Sequence, residues 1–92
     1  MSAYIVVDLT PVNLEKMAVY SAQAAKTLAS YQGEFLSKGS VESLHGSASH
    51  TTKVIIQFPS KEKAVDWYNS EQYQAVIPLR NEAMLSTFQL IV

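Results

Sequence analysis

The hydrophobic period changes along this chain in a fixed order, and that order constrains the fold more than any single residue. Tyr4 to Leu9 is β-branched and apolar, stops at Thr10-Pro11, and predicts a strand. Asn13 then offers a helix cap. Leu14, Met17, Ala18, Ser21, Ala24, Ala25 and Leu28 follow at spacings of three and four, one face of an amphipathic helix. Gly33 suits the end of that helix. Glu34–Lys38 and Val41–His45 read as one strand interrupted at Gly39, with a bulge there. Gly46 to His50 is a small-polar loop that predicts a hairpin into a strand over Lys53–Phe58.

Pro59 ends that strand, and Ser60 caps a second helix through Tyr68. Ser70 caps a further turn through Tyr73. Pro78 lacks the N–H that a helix interior needs, which predicts a break near Ile77 and a new turn from Pro78 to about Leu85. Thr87–Val92 closes the chain as a strand. The order β-α-β-β-α-β is the split βαβ, ferredoxin-like pattern: an α+β domain over residues 1–92 with a four-stranded antiparallel sheet.

Strand alternation sorts the side chains onto two faces. Ile5, Val7, Leu9, Val54, Ile56, Phe58, Phe88, Leu90 and Val92 form the face expected under helices. Tyr4, Val6, Asp8, Ile55, Gln57, Gln89 and Ile91 form the other, too apolar to be simply solvated. Only 16% of the 92 residues are charged, against roughly 25% in an average domain. Both observations point to a homodimer packed through its sheet faces.

Composition also excludes. The net charge of −1 leaves no basic excess for nucleic acid. The chain has no cysteine, so disulfides, zinc thiolates and cysteine nucleophiles are out. Apolar runs reach at most five residues, far short of the about 20 of a membrane span. The N-terminus does not read as a signal peptide, and a cytoplasmic protein is expected.

Tyr31-Gln32-Gly33-Glu34-Phe35-Leu36-Ser37-Lys38-Gly39 fits the form Y-x-G-x-[FY]-L-x-[KR]-G. Val54–Ser60, Ala64, Trp67-Tyr68-Asn69-Ser70, Tyr73 and Leu79-Arg80 extend the match over nearly the whole chain. Together they resemble the family called domain of unknown function 1330. The resemblance implies a dimeric α+β barrel, in which two ferredoxin-like sheets close on each other. Relatives in that wider group include cofactor-free monooxygenases, haem-dependent enzymes and isomerase-like proteins, while the family itself has no settled activity.

The candidate site residues are Arg80, Tyr68, Trp67, His45 and Glu42. Arg80 is the only arginine. In the first turn after a Pro78 break it would meet free backbone N–H groups and add a bidentate fork for an anion. The competing reading is an internal salt bridge to Glu42 or Asp8. Trp67 and Tyr68 are adjacent on a helix and point about 100° apart, so one can fill the core while the other borders a cleft. The competing reading makes both packing residues. His45 ends the predicted strand and can serve as a general base if it faces a pocket. His50 reads as a solvated loop residue. Two histidines make no metal set unless Glu42 or Asp8 converges on them. Asp8, on the interface face, is expected to pair with Lys53 or Arg80, or to sit at the barrel rim.

The favoured expectation is a binder of a small anionic or carbonyl compound, or a cofactor-free enzyme of proton-transfer type, without cofactor or metal. The alternatives are a non-enzymatic dimeric interaction module and a haem or metal binder.

Overall fold

In the computed structural model, which describes residues 1–92, β1 (Ala3–Pro11) leads into α1 (Leu14–Leu28). A short 3-10 turn over Ala29–Tyr31 is followed by β2 (Glu34–Ser40) and β3 (Thr52–Phe58). Two consecutive helices, α2 (Lys61–Asn69) and α3 (Glu71–Ala83), run into β4 (Met84–Ile91). The sheet order is β2-β3-β1-β4, with every neighbouring pair antiparallel. This is the four-stranded α+β arrangement expected from the order of periods.

The two central strands explain the core. On β1, Ala3, Ile5, Val7 and Leu9 are buried and the residues between them half-buried. On β3, Val54, Ile56 and Phe58 repeat the pattern. Helices cover that face with Tyr20, Ala24 and Leu28 from α1, Ala64 and Trp67 from α2, and Tyr73, Val76 and Ala83 from α3. Trp67, Tyr73 and Phe58 are its largest fully buried side chains. The opposite face has no helix, and Tyr4, Val6, Asp8, Ile55 and Gln57 stay half-exposed there. No helix is long and apolar enough to cross a membrane.

Several expectations need correction. β4 is an edge strand that α2 does not fully cover: Phe88 is half-buried, and Leu90 and Val92 are exposed. The buried stripe of α1 is rotated from the expected one, so Tyr20 faces inward while Leu14, Ala18 and Ala25 face solvent. The 41–51 segment is a long connection, and His45 lies inside it, not at a strand end. The bulge falls between Phe35 and Ser37, whereas Gly39 pairs regularly with Lys53. With the extra residue at Leu36, Phe35 opposes Ile56 and Ser37 opposes Ile55, which twists this edge strand locally.

Gly33 is required by close approach. A Cβ there would lie 2.6 Å from Cε2 of Phe58, and the left-handed residue at the helix end is Gln32 (φ 57°).

The helix through Pro78 is the largest departure. α3 runs unbroken from Glu71 to Ala83. Pro78 removes only the bond to the carbonyl of Gln74, a solvent-exposed residue where water can take over that carbonyl. Tyr73, Val76 and Ala83 hold both halves of the helix to the core.

Candidate functional site

The site begins at the corner between α2 and α3, which one serine builds. The Ser70 hydroxyl donates to the Trp67 carbonyl at 2.7 Å and accepts from the Tyr73 N–H at 3.2 Å. It thus closes α2 and caps α3. The tight corner brings the Trp67 and Tyr73 rings to 4.3 Å between centroids. Tyr68 packs beside Tyr73 at 5.3 Å and against Phe88 of β4 at 5.8 Å. Trp67 is 1% exposed, and its indole N–H donates to the Thr27 hydroxyl at 2.8 Å. Of the adjacent aromatic pair, Trp67 fills the core and Tyr68 borders a cleft.

Arg80 closes over this cluster. Its Nη1 donates to Tyr68 Oη at 3.1 Å and to Tyr73 Oη at 3.3 Å, and its Nε to Asn81 Oδ1 at 3.3 Å. The guanidinium carbon lies 4.8 Å from the centre of the Phe88 ring, a cation–π distance. Tyr73 Oη meets Tyr20 Oη of α1 at 2.7 Å, so the polar chain reaches across the core.

Burial sets the electrostatics. It pushes the Tyr20 hydroxyl well above the ordinary tyrosine range, and the neighbouring Tyr73 phenol adds to the rise. Tyr73 is also raised by burial, although its bonds to Tyr20 and Arg80 oppose that. For Arg80, partial desolvation works against the charge, but the bonds to Tyr68 and Tyr73 outweigh it and the pKa moves up. The cluster is therefore a fixed cation resting on neutral phenols.

No carboxylate pairs with Arg80. The two salt bridges of the chain are Lys16–Glu82 at 3.5 Å and Lys53–Asp8 at 3.4 Å. The expected alternative, an internal bridge from Arg80 to Glu42 or Asp8, is absent. The helix-terminus argument for an anion also fails. Because α3 passes through Pro78, Arg80 sits in its last turn, where the dipole favours the cation itself.

Two cavities flank Phe88. One, of about 290 Å³, lies between α2 and the strands β1 and β4, lined by Ile5, Ala64, Tyr68, Phe88 and Leu90 among others. It occupies the gap left where α2 does not cover the end of β4. The other, of about 100 Å³, lies under α1 and is almost wholly apolar. Tyr68 lines the first cavity, and Trp67 and Tyr20 line the second.

His45 and Glu42 are elsewhere. They line a separate polar depression formed by the 41–51 connection, with His50, Asp8, Lys53 and Thr87. His50 Nδ1 is 3.0 Å from the Thr10 hydroxyl, so His50 ties this connection to β1. The structure brings Arg80, Tyr68 and Trp67 into one cluster and does not bring His45 or Glu42 to it. No three His, Asp or Glu side chains converge to hold a metal ion.

Tyr20, Tyr73 and Phe88 belong to the cluster and were not among the candidates. For Tyr20 and Tyr73 a signal existed: a tyrosine on an inward helix face must find a partner for its hydroxyl.

The fold and this helix-side cluster define a ferredoxin-like α+β protein with two small cavities. The model of the domain of unknown function DUF1330 matches residues 2–92, and the chain belongs to that family. No curated protein matches it in sequence. Among solved structures, it resembles a protein of unknown function, RPA0582, from Rhodopseudomonas palustris. The TM-score is 0.81 at 14% identity, covering 98% of this chain and 80% of that one. It also resembles SnoaB, a cofactor-independent oxygenase from Streptomyces nogalater, with TM-score 0.72, 11% identity and coverage of 99% and 91%. A dimeric ferredoxin-like protein of unknown function from Jannaschia sp. matches with TM-score 0.68 and 15% identity, over 97% and 98%. At these identities the likeness is one of fold.

Proposed function

We propose that the protein binds a small anionic or carbonyl compound in the cavity beside Tyr68, with Arg80, which does not line that cavity but packs on its Tyr68 and Phe88 walls, as the polar anchor at its edge. The observation that carries this reading is the missing counter-ion. The only arginine donates to two phenols and an amide, so its charge is uncompensated. A carboxylate or carbonyl oxygen offers that guanidinium a stronger acceptor than a phenol does. The apolar walls of Ile5, Ala64, Phe88 and Leu90 suit a small hydrocarbon body.

Where the bound compound reacts, these groups favour proton transfer. Tyr68 can give its phenolic proton to the oxygen of an enolate that is already formed when it binds, while Arg80 stabilises the phenolate left behind. The cofactor-independent oxygenase among the neighbours is compatible with catalysis on this fold without a prosthetic group.

The same proposal includes a homodimer packed through the open sheet face. Its support is the half-exposed apolar set of Val6, Ile55 and Tyr4, with Ile91 54% exposed, and the dimeric neighbour of the same fold.

A thermal-shift screen of small carboxylates against wild type and Arg80→Ala tests the anchor. At ten times its Kd a ligand adds about 1.4 kcal/mol, a rise of roughly 6–11 °C for a domain of this size. An acid that stabilises wild type and not the variant supports the reading. If no acid stabilises wild type more than Arg80→Ala, the anchor is rejected. Sedimentation tests the dimer, and a species of 10.2 kDa at micromolar concentration overturns it.

A further inference from the structure

The hydrogen count of the phenol chain leaves one donor over. Tyr20 Oη and Tyr73 Oη face each other at 2.7 Å, and only one hydrogen can lie between them. Two phenols bring two hydrogens. Tyr73 Oη already accepts from the Arg80 guanidinium. An oxygen that accepts a charge-assisted bond becomes a better donor through its own hydrogen. The favoured order is therefore Arg80 to Tyr73 to Tyr20, and the unspent hydrogen sits on Tyr20.

Tyr20 is 7% exposed, so that hydrogen is withheld from bulk water. A buried donor without an acceptor is costly. Of the two phenols, only Tyr20 lines a cavity, the apolar one under α1. Twelve of the fourteen residues around that cavity are hydrophobic, including Met17, Phe35, Trp67, Met84 and Phe88. Its volume is about 100 Å³. A dry 150 Å³ cavity takes the six carbons of benzene, so this one, which is partly open to solvent, encloses about four heavy atoms of a ligand and leaves the rest of a small ring at its mouth.

We propose that the cavity under α1 binds a small, neutral, mostly apolar molecule carrying one carbonyl oxygen, which accepts the spare hydrogen of Tyr20. The relay lets Arg80 polarise that carbonyl without touching it. This goes beyond the reading at Tyr68, because it concerns a different cavity and an uncharged ligand. Carboxylate binding at Arg80 and ketone binding under α1 can each fail without the other.

The methionines supply the reporters. Met17 and Met84 line the cavity, while Met1 is fully exposed at the chain start. With methyl-13C methionine, titration with cyclopentanone shifts the Met17 and Met84 signals and leaves Met1 in place. Cyclopentane, the same ring without the oxygen, is the second probe. The readout is the ratio of the two affinities, since the hydrocarbon gains more from leaving water. In Tyr20→Phe that ratio moves toward cyclopentane by about 2- to 10-fold, the worth of one hydrogen bond. In Tyr73→Phe it moves less, because Tyr20 keeps its hydrogen. In wild type alone, the C=O stretch of bound cyclopentanone falls below its value in an alkane. The proposal is overturned by shifts absent from both Met17 and Met84. It is equally overturned by a ratio unchanged in Tyr20→Phe, by a change larger in Tyr73→Phe, or by a bound C=O stretch equal to that in alkane.

Discussion

Alkaline pH should unfold this protein through its buried phenols, and Tyr20→Phe isolates the effect. Tyr20 and Tyr73 are 7% and 0% exposed, and both titrate above the ordinary tyrosine value of 10.0. A phenol whose folded pKa is raised stabilises the fold fully below the unfolded pKa. That stability is lost as pH rises, because the unfolded chain releases the proton first. With the folded hydroxyl still protonated, Tyr20 gives up about 0.4 kcal/mol at pH 10 and about 1.4 kcal/mol at pH 11, relative to pH 8. Removing its hydroxyl at pH 8 takes away the 2.7 Å bond to Tyr73, worth about 1 kcal/mol. The variant should therefore be less stable than wild type at pH 8, and the deficit should close between pH 10 and 11. Urea midpoints followed by far-UV circular dichroism, at half-unit steps from pH 8 to 11, measure the gap. Other titrating groups are common to both proteins and largely cancel in the difference. A gap that stays constant or widens with pH refutes the linkage and the burial behind it.

Three further substitutions probe the scaffold of the site. Gly33→Ala places a Cβ 2.6 Å from the fully buried Phe58 ring and should lower stability by about 1–3 kcal/mol in chemical denaturation. Ser70→Ala removes both the cap of α3 and the closure of α2, for about 1–2 kcal/mol. It should also change the near-ultraviolet signal of Trp67, whose ring that corner seats against Tyr73. Pro78→Ala restores an N–H to an unbroken helix and should raise the melting temperature, with a gain of at most about 3 kcal/mol. A fall in melting temperature there would mean that the ring itself is packed.

The strands were legible because period two is a strong signal when both neighbours are strands. β1 and β3 are central, so each inward residue of Ile5, Val7, Leu9, Val54, Ile56 and Phe58 is covered as the alternation requires. β4 shows the same alternation and is only partly covered, because coverage depends on where a helix ends and not on the strand's own residues. The caps at Asn13, Ser60 and Ser70 were legible for a local reason: each side chain bonds an N–H three residues on. The stripe of α1 was misplaced because alanine is compatible with either face. What turns the helix is Tyr20, whose ring and hydroxyl both find partners inside.

The site was harder to read, and Pro78 shows why. Proline has a local rule, and that rule places Arg80 at a helix start, where free N–H groups would help it hold an anion. Tertiary packing on both sides of Pro78 offsets one lost hydrogen bond at an exposed carbonyl, and the helix continues. Arg80 then belongs to a C-terminal turn, and its neighbours become the phenols of three helices: Tyr20, Tyr68 and Tyr73. His45 and Glu42 fell away for the matching reason. The small-polar 46–50 loop predicts a short hairpin, whereas an eleven-residue connection (41–51) carries both side chains to a separate depression. Any chemistry at Arg80 therefore has to run on guanidinium and phenol alone, with no carboxylate or imidazole in reach to act as base. Such a pair is suited to holding and protonating an oxygen and poorly suited to abstracting a proton from carbon. A bound carbonyl compound would thus have to reach the cluster already activated, or supply its own base.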